Sequence, residues 1–331
     1  MQVNFKRYGW PFASVTIAFR AGLSPSRFFF SRKNILVVMA PNSSAAESYL
    51  LGAFNIRAFG IKKLADDNDT LKHIVKILRR YDICFLQEVR EADNKLNPDG
   101  SSPLLTRLIE KVSTKTKPYD ESNLFDDENF GDVFEREPFS ARFSLISKPH
   151  VHLALLGVHV KPTDAVKEIG SLHHCFEKLS IQWTPKEEPK QEKKKPKRKW
   201  YHYLFSCICP TISQEDEGSA AELGNMNKTM LIGPVIMGDL NAGKNYLGVK
   251  ARKQVELYTN REKYTWLIED DVDTTVAEST DYPYDRIIVP TAQSHHFRNA
   301  KPYPFDEKLN LESEAALAVS DHYPVEVELL P

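Results

Sequence analysis

Four short stretches of the sequence each place a carboxylate, an amide or an imidazole beside an apolar, strand-like run. They are Phe54-Asn55-Ile56-Arg57, Gln87-Glu88-Val89-Arg90, Gly238-Asp239-Leu240-Asn241-Ala242 and Ser320-Asp321-His322-Tyr323-Pro324. One such stretch is common, but four in one chain predict a sheet whose strand ends converge on a single polar site. Carboxylates, amides and imidazoles together are typical of metal-assisted hydrolysis of a phosphodiester.

Oxygen atoms and cations in these stretches suit a metal ion and a phosphate. Mg²⁺ prefers oxygen ligands and keeps several waters, so Glu88 is the best single candidate ligand. The residues that would complete an anionic pocket are Asp239, Asn241 and Asp321, with Asn55 and Asn241 orienting a phosphate or a water. The residues that offer forked pairs of donors to a phosphate are Arg57, Arg90 and Arg136.

Two imidazoles suit the proton transfers of such a reaction. His159 follows the apolar run at residues 151–158, and His322 lies in the last of the four stretches. One would act as base and the other as acid, and each works best with a carboxylate that fixes its tautomer. Asp285 is the candidate partner of His322.

Each of these residues also has a purely structural interpretation. An asparagine after a strand commonly forms a turn, a histidine at a strand end commonly makes a structural hydrogen bond, and surface arginines form ordinary ion pairs. Taken singly, the structural interpretation is favoured for each one. Their occurrence together, in this order, favours the site.

Alternating strand and helix patterns predict how these residues are held. Residues 51–56, 83–86, 151–158, 235–237, 287–289 and 325–329 have the apolar character of strands. Helices are predicted at residues 69–80, 104–112 and 164–181, and residues 120–137 are predicted to be a solvated acidic loop. This order predicts layered sheets with helices packed outside them.

Composition and charge set limits on the class of protein. The 331 residues have 41% hydrophobic and 27% charged residues, enough for a real core, and no apolar run long enough to span a bilayer. A net charge of −1 means that attraction for a polyanion must come from local patches. The four cysteines do not form a disulfide framework.

The chain is interpreted as one domain with two extra segments. Residues 1–48 form a basic leader, disordered or targeting, and residues 49–330 form the domain. Residues 184–228 form a disordered basic insertion on its surface. The basic run at residues 193–199, with the nearby Cys207 and Cys209, is interpreted first as a solvated loop, then as a nuclear-import signal, and last as a membrane anchor over residues 193–209.

In this combination the motifs resemble the deoxyribonuclease I family, within the endonuclease/exonuclease/phosphatase superfamily. The resemblance spans residues 50–330 and is carried by residues 53–60, 79–83, 87–90, 136–138, 159, 162–166, 238–242, 273–275, 284–289 and 320–327. It implies an α/β fold, a four-layer sandwich of two packed mixed β-sheets flanked by helices. It also implies metal-dependent hydrolysis of double-stranded DNA.

The resemblance further implies a role for each candidate residue. The catalytic residues would be His159, His322, Asp285 and Asp239. The ligands of Mg²⁺ would be Glu88, Asp321 and Asn55, and a structural Ca²⁺ would bind at Asp273 and Thr275. The residues that contact phosphate would be Arg57, Arg136 and Asn241, and Arg90 would reach into the minor groove.

Two departures from the family pattern bear on activity. The family has a strand pair with a Tyr-Lys-Glu motif after the helix that ends at residue 112, whereas here residues 117–120 run straight into the acidic stretch. The glutamate that orients His159 is therefore expected to be missing, and nothing in the sequence supports Glu121 or Glu128 as a substitute. The family's disulfide positions hold Lys244 and Tyr282, so that bridge cannot form.

Three functional hypotheses follow from these residues. The first is an endodeoxyribonuclease that needs Mg²⁺ and Ca²⁺, weakened by the missing glutamate. The second is a catalytically dead relative that binds DNA or a protein partner. The third, ranked last, is a superfamily phosphatase acting on inositol phosphates or phospholipids. A nuclear or cytoplasmic location is favoured over a secreted one.

Overall fold

Two β-sheets pack face to face in this chain, and helices cover both outer faces. The structure, a computed structural model, describes residues 35–39, 48–64, 69–90, 103–112, 121–124, 133–145, 147–185 and 229–331. The predicted four-layer α/β sandwich of two mixed sheets is confirmed.

The strands divide into a five-stranded and a six-stranded sheet. In chain order they are β1 (Ile35–Met39), β2 (Tyr49–Phe59), β3 (Ile83–Val89), β4 (Glu121–Leu124), β5 (Phe139–Ser144), β6 (Val151–His159), β7 (Met230–Asp239), β8 (Tyr264–Trp266), β9 (Asp285–Pro290), β10 (Phe297–Pro302) and β11 (Val325–Leu329). The first sheet has the order β1-β3-β2-β11-β10 and the second β4-β5-β6-β7-β9-β8. Only the pairs β2–β3 and β6–β7 are parallel, so both sheets are mixed.

Helices cover the outer surface of each sheet, and the longer ones bury one apolar face against it. They are α1 (Asp69–Leu78), α2 (Pro103–Val112), α3 (Ala165–Trp183), α4 (Val249–Arg252), α5 (Glu256–Thr259), α6 (Phe305–Leu309) and α7 (Ser313–Val319). In α1 the buried residues Leu71, Ile74, Ile77 and Leu78 recur at the spacing of one helical face. Helices α1, α2, α6 and α7 share a core with the first sheet, and α3 and α5 share one with the second.

A third core lies between the two sheets and fixes how they face each other. Phe85 and Val327 of the first sheet pack there with Leu155, Met237 and Ile287 of the second. Gln87 adds a polar link, because its buried side-chain amide donates a hydrogen bond of 2.7 Å to the carbonyl of Val158 in the other sheet. The ends of β3 and β6 are therefore held together.

Five strands were not predicted from the sequence, namely β1, β4, β5, β8 and β10. Residues 35–39, assigned to the leader, form β1 and pair antiparallel with β3. Residues 121–124, assigned to a solvated loop, form the edge strand β4, which pairs with the unpredicted β5. An edge strand needs no fully apolar pattern, since one side of it has no neighbouring strand, and this explains why the polar run Glu-Ser-Asn-Leu was not recognised.

Several predictions fall outside the described residues. Residues 1–34, interpreted as part of a leader, are among them. So are almost all of the proposed insertion, including the basic run and the cysteines at residues 193–209, and Glu128. Within the described part of the chain, no helix combines the length and apolar character needed to cross a bilayer.

Arg286 anchors the loops behind the second sheet. Its guanidinium is fully buried and donates hydrogen bonds to the carbonyls of Pro283 and Ile268, both at 2.7 Å, and to Ala242 at 3.3 Å. It also pairs with Asp270 at 2.7 Å. A forked, five-donor group is required to serve all of these acceptors at once.

We expect Arg286→Lys to destabilise the fold. An ammonium reaches fewer of these acceptors, so the free energy of unfolding should fall by about 3 kcal/mol as buried carbonyls and Asp270 lose their donors. Urea unfolding of the variant measures this loss. Arg298→Lys, an exposed position on β10, is the control and should change stability by less than about 0.5 kcal/mol. An equal effect of both changes would contradict the assignment.

Candidate active site

Strand register brings the polar residues of both sheets to one end of the sandwich. In the second sheet His159, the last residue of β6, pairs with Asp239, the last residue of β7, and Asp239 pairs with Asp285, the first residue of β9. In the first sheet Asn55 of β2 pairs with Gln87 of β3, one residue before Glu88. His322 lies just ahead of β11. The convergence predicted from the strand ends is therefore observed.

Asp239 lies between the two histidines. Its Oδ2 atom is 3.7 Å from Nε2 of His159 and 4.0 Å from Nε2 of His322. The same oxygen accepts a hydrogen bond of 3.2 Å from the side-chain amide of Asn55, which belongs to the other sheet. Burial raises the pKa of Asp239, and the neighbouring Asp285 acts in the same direction against the charge of His322.

His322 is paired with a buried carboxylate. Its Nδ1 atom is 2.7 Å from Oδ2 of Asp285, as the sequence predicted. The same oxygen accepts a hydrogen bond of 3.1 Å from the hydroxyl of Thr274, so its position is fixed from two sides. Burial alone would lower the pKa of His322, but the carboxylates of Asp285 and Asp239 outweigh it and raise the pKa to about 10.

His159 has no comparable partner. It is buried, and its Nδ1 atom makes no hydrogen bond with any described residue. The expected loss of its orienting glutamate stays a prediction, because residues 113–120 and 125–132 lie outside the described part of the chain. The side chain of Glu121 lies outside the described side chains, so its suitability as a substitute is untested. Burial, helped by the nearby charge of Arg136, lowers the pKa of His159 to about 4, although Asp239 acts in the opposite direction.

Glu88 and Asn55 form the part of the site contributed by the first sheet. The carboxylate of Glu88 accepts hydrogen bonds from the backbone of Ala58 at 2.9 Å and from the amide of Asn55 at 3.3 Å. Asn55 was expected to be a metal ligand, but its oxygen accepts from the backbone of Arg57 and its NH₂ group faces Glu88 and Asp239. In this arrangement Asn55 holds two carboxylates together, and its expected role as a metal ligand stays a prediction.

Arginines surround the acidic cluster. Arg57 pairs with Asp321 at 3.4 Å, and Arg90 pairs with Glu88 at 2.8 Å. Arg136 donates a hydrogen bond of 3.2 Å to the carbonyl of His159. The side chains of Arg57 and Arg90 are more than half exposed, so both can turn towards an anionic ligand.

Asn241, Asp273 and Thr275 hold loops at the rim of the site. Asn241 donates its side-chain amide to the carbonyl of Val160, which ties the ends of β6 and β7 together. Asp273 accepts hydrogen bonds from the backbone and the hydroxyl of Thr275, at 2.9 and 2.6 Å. Their suggested roles in phosphate and calcium binding stay predictions.

Two groups of side chains offer ligand atoms that could hold a cation. Asp239, Asp285 and His322 bring ligand atoms within 4.8 Å of one another. However, Asp285 and His322 already bind each other, so a cation among these three would have to break a short, buried pairing. Glu88 and Asp239, bridged by Asn55, offer carboxylate oxygens without that cost, and this is the donor chemistry that Mg²⁺ prefers.

Lys63 has a role that the sequence did not reveal, because no motif marks it. Its ammonium donates to three backbone carbonyls, those of Ile56 at 2.9 Å and of Arg57 and Val319 at 2.8 Å. Arg57 lies in the left-handed region, with φ of 40°, so Lys63 fixes a strained turn. It also joins that turn to the segment that carries Asp321 and His322.

Glu168 of α3 was also missed, although it lies close to the recognised stretch at residues 162–166. Its buried carboxylate accepts hydrogen bonds from the backbone of Glu135 and of Lys161, both at 3.1 Å. These bonds attach the loops carrying Arg136 and His159 to one helix. An acid at this position resembles an ordinary helix residue, and only the tertiary contacts reveal its function.

Comparisons with known proteins show which proteins this chain is similar to. Deoxyribonuclease-1 of Bos taurus is 32% identical to this chain over 325 residues, covering 89% of this chain and 97% of that protein. Deoxyribonuclease-1-like 2 of Mus musculus is 29% identical over 352 residues, covering 96% of this chain and 98% of that protein. Among solved structures, AP endonuclease LMAP from Leishmania major aligns with a TM-score of 0.48 and 12% identity, over 86% of this chain and 88% of that one. No family model matches the chain.

The opposite environments of the two histidines predict opposite charge states. In the metal-free protein at pH 7, His322 should be doubly protonated and His159 neutral, since their pKa values lie near 10 and 4. Long-range ¹H–¹⁵N spectra of the imidazoles, recorded in EDTA between pH 5 and 9, measure both states. Asp285→Asn should bring the pKa of His322 down towards 6.5. If the His159 imidazole titrated with a midpoint between pH 6 and 7, its buried and unpaired environment would be disproved.

Lys63→Met separates positioning from stability. We expect kcat/KM for DNA cleavage to fall at least tenfold, because the segments that carry Arg57 and His322 are no longer joined by Lys63. The free energy of unfolding should change by less than about 1 kcal/mol, because removing a half-buried ammonium relieves its desolvation. Lys62→Met, at the exposed neighbour, should leave both quantities near their starting values. A loss of activity that scales with a loss of stability would show that Lys63 is structural only.

Proposed function

Because the chain belongs to the deoxyribonuclease I family, we propose that it hydrolyses DNA phosphodiester bonds with the help of a divalent cation. One observation carries this proposal: the carboxylate of Asp239 lies within 4.0 Å of Nε2 in both His159 and His322. Two imidazoles on either side of one buried acid can serve the attacking and the leaving oxygen of the same phosphate.

The cation is proposed to bind at Glu88 and Asp239, with Asp321 close by. The fit rests on the donor set, which is rich in carboxylate oxygens, and on the burial of Asp239, whose negative charge a cation would stabilise. When bound, such an ion supplies positive charge to the phosphate oxygens. Mg²⁺ is the proposed ion here, and Ca²⁺ is proposed at Asp273 and Thr275.

The two histidines are proposed to divide the proton transfers. His322 donates its Nε2 proton to the leaving oxygen, because the short bond from Nδ1 to Asp285 favours the imidazolium. His159 takes the proton of the attacking water at its Nε2 atom, which faces Asp239. Asp239 orients both rings and the water between them.

Arginine side chains are proposed to bind the substrate. Arg57 and Arg136 contact the cleaved phosphate, and Asn241 assists with its second amide hydrogen. Arg90, now paired with Glu88, would reach towards the DNA if Glu88 held a cation instead. This exchange is feasible because Arg90 is exposed, and an exposed ion pair is worth little.

A second function, a DNA-binding protein with little or no activity, is favoured by His159, whose Nδ1 atom has no partner in the part of the chain that the structure describes. A histidine without a partner at Nδ1 has no fixed tautomer, and loss of such a partner is costly in other hydrolases. The intact pairing of His322 with Asp285 argues for the nuclease.

Supercoiled plasmid tests the proposed function directly. The purified protein should nick it with Mg²⁺ and Ca²⁺ present, and EDTA should abolish nicking. His322→Ala should lower the rate by about 10³-fold, because the leaving oxygen loses its proton donor. Glu88→Gln should shift the Mg²⁺ requirement to higher concentration. The readout is the rate at which open circles appear on a gel.

His295→Ala is the matched control, since His295 is an exposed histidine of the short helix Thr291–His296, outside the site. It should nick at the original rate. Plasmid binding without nicking by the unaltered protein would favour the second function. Equal nicking by His322→Ala would refute the assignment of the site.

A further inference from the structure

The segment that carries His322 is tied to helix α6 by a side-chain hydrogen bond. The hydroxyl of Tyr323 donates at 2.8 Å to Oδ2 of Asp306, which lies in the first turn of α6. The two residues are 17 positions apart, and the chain between them forms α7 and returns through Asp321. The bond therefore closes a loop whose last part holds a candidate catalytic histidine. The proton transfers proposed above do not account for it.

Asp306 is itself held in place, so it can serve as a fixed point. Its backbone carbonyl accepts hydrogen bonds from the backbone of Asn310 and, at 2.9 Å, of Leu311, where α6 ends. Its Oδ1 atom is buried and has no hydrogen-bond partner among the described residues. The bond from Tyr323 is thus what compensates this carboxylate for the water that it has lost.

Packing fixes the ring of Tyr323 as well. The ring meets Phe305 edge to face, with centroids 5.5 Å apart and planes at 73°. Phe305 in turn lies 6.0 Å from Phe54 of β2. Both phenylalanines are fully buried in the core between the first sheet and its helices. The phenol therefore approaches Asp306 from a rigid base.

His322 and Tyr323 are neighbours that point in opposite directions. The imidazole bonds to Asp285 in the candidate site, whereas the phenol ring packs against the core behind the first sheet. Such alternation is a property of extended chain, and His322 forms an isolated β-bridge with Thr275. Rotation of the segment about its own axis would move both rings, so a fixed phenol also fixes the imidazole.

Backbone contacts hold the ends of the segment and one of its edges. At the ends, the hydroxyl of Ser320 bonds to β2 at 2.6 Å, and the carbonyl of Pro324 bonds to the residue after β10 at 2.8 Å. Between them, the backbone of Tyr323 donates to the carbonyl of Thr274 at 2.8 Å. Contacts of this kind define an axis for the segment, and the bond to Asp306 opposes rotation about that axis.

We propose that Asp306 is a positioning residue for the nuclease reaction: through the hydroxyl of Tyr323 it holds the imidazole of His322 against Asp285. The proposal rests on the proposed function, which gives His322 the proton transfer to the leaving oxygen. Because the arginines proposed to bind phosphate lie elsewhere in the site, the bond acts on the chemical step and not on substrate binding.

Variants of this contact test the proposal in the plasmid assay. Tyr323→Phe and Asp306→Ala each remove the bond and should lower kcat about tenfold, with KM for plasmid changed less than about twofold. The double variant should be no slower than either single one, because both changes act through the same bond. Asp306→Asn keeps an oxygen acceptor for the phenol and should retain kcat within about twofold.

Tyr303→Phe is the matched control. It removes a hydroxyl from the same core, while its ring keeps its contact with the guanidinium of Arg80, 3.7 Å away, so kcat should not change. An unchanged kcat in Tyr323→Phe, or a loss confined to KM, would overturn the proposal. So would a double variant about 100-fold slower than the unaltered protein, since the two side chains would then act separately. If Asp306→Ala fails to fold, as a thermal melt would show, Tyr323→Phe and Asp306→Asn decide.

A measurement without cleavage separates this inference from the proposed function. In EDTA, exchange of the His322 Nδ1 proton with water, followed by NMR of ¹⁵N-histidine, reports how firmly Asp285 holds the ring. Tyr323→Phe should speed this exchange at least about tenfold, while the backbone amides of β11 keep their protection. Faster exchange in a protein that does not nick plasmid would keep the positioning role and remove the nuclease assignment. Plasmid nicking with exchange and kcat both unchanged in Tyr323→Phe would do the reverse.

Discussion

One buried carboxylate, Asp239, holds the candidate site together. It accepts a hydrogen bond from Asn55 across the two sheets and lies within 4.0 Å of Nε2 in both histidines. A negative charge in such a place is costly unless positive groups surround it. The imidazolium of His322 supplies one such charge, and a divalent cation at Glu88 would supply another. Asp239 therefore links the polar ends of the two sheets.

The two sides of the site are unequally built. On one side, Thr274, Asp285 and His322 form a continuous buried chain of hydrogen bonds. On the other, Nδ1 of His159 has no hydrogen-bond partner among the described residues, and the neighbouring backbone is held by Arg136 and Glu168. Among the described residues, the histidine with a carboxylate that fixes its ring is therefore His322.

Sequence patterns predicted which residues lie at the strand ends, but they did not predict the contacts between those residues. Glu88, Asp239 and His322 follow or precede apolar runs, and such runs report burial, so their convergence was predictable. The bridge that Asn55 forms between Glu88 and Asp239 was not predictable, because the direction of its amide depends on the backbone of Arg57. Lys63 and Glu168 bind backbone atoms of distant segments, and no local pattern encodes such pairings. The strand at residues 121–124 was not predicted, because the acidic residues around it are typical of a solvated loop.

The central claim is that both histidines and Glu88 share one cation-binding cavity. Titrating Mn²⁺ into protein labelled with ¹⁵N-histidine tests it, because a paramagnetic ion broadens the resonances of nearby rings. The signals of His159 and His322 should broaden together at the same Mn²⁺ concentration. In Glu88→Gln, broadening of both signals should need at least tenfold more Mn²⁺. Broadening of only one ring, or no effect of Glu88→Gln, would contradict it.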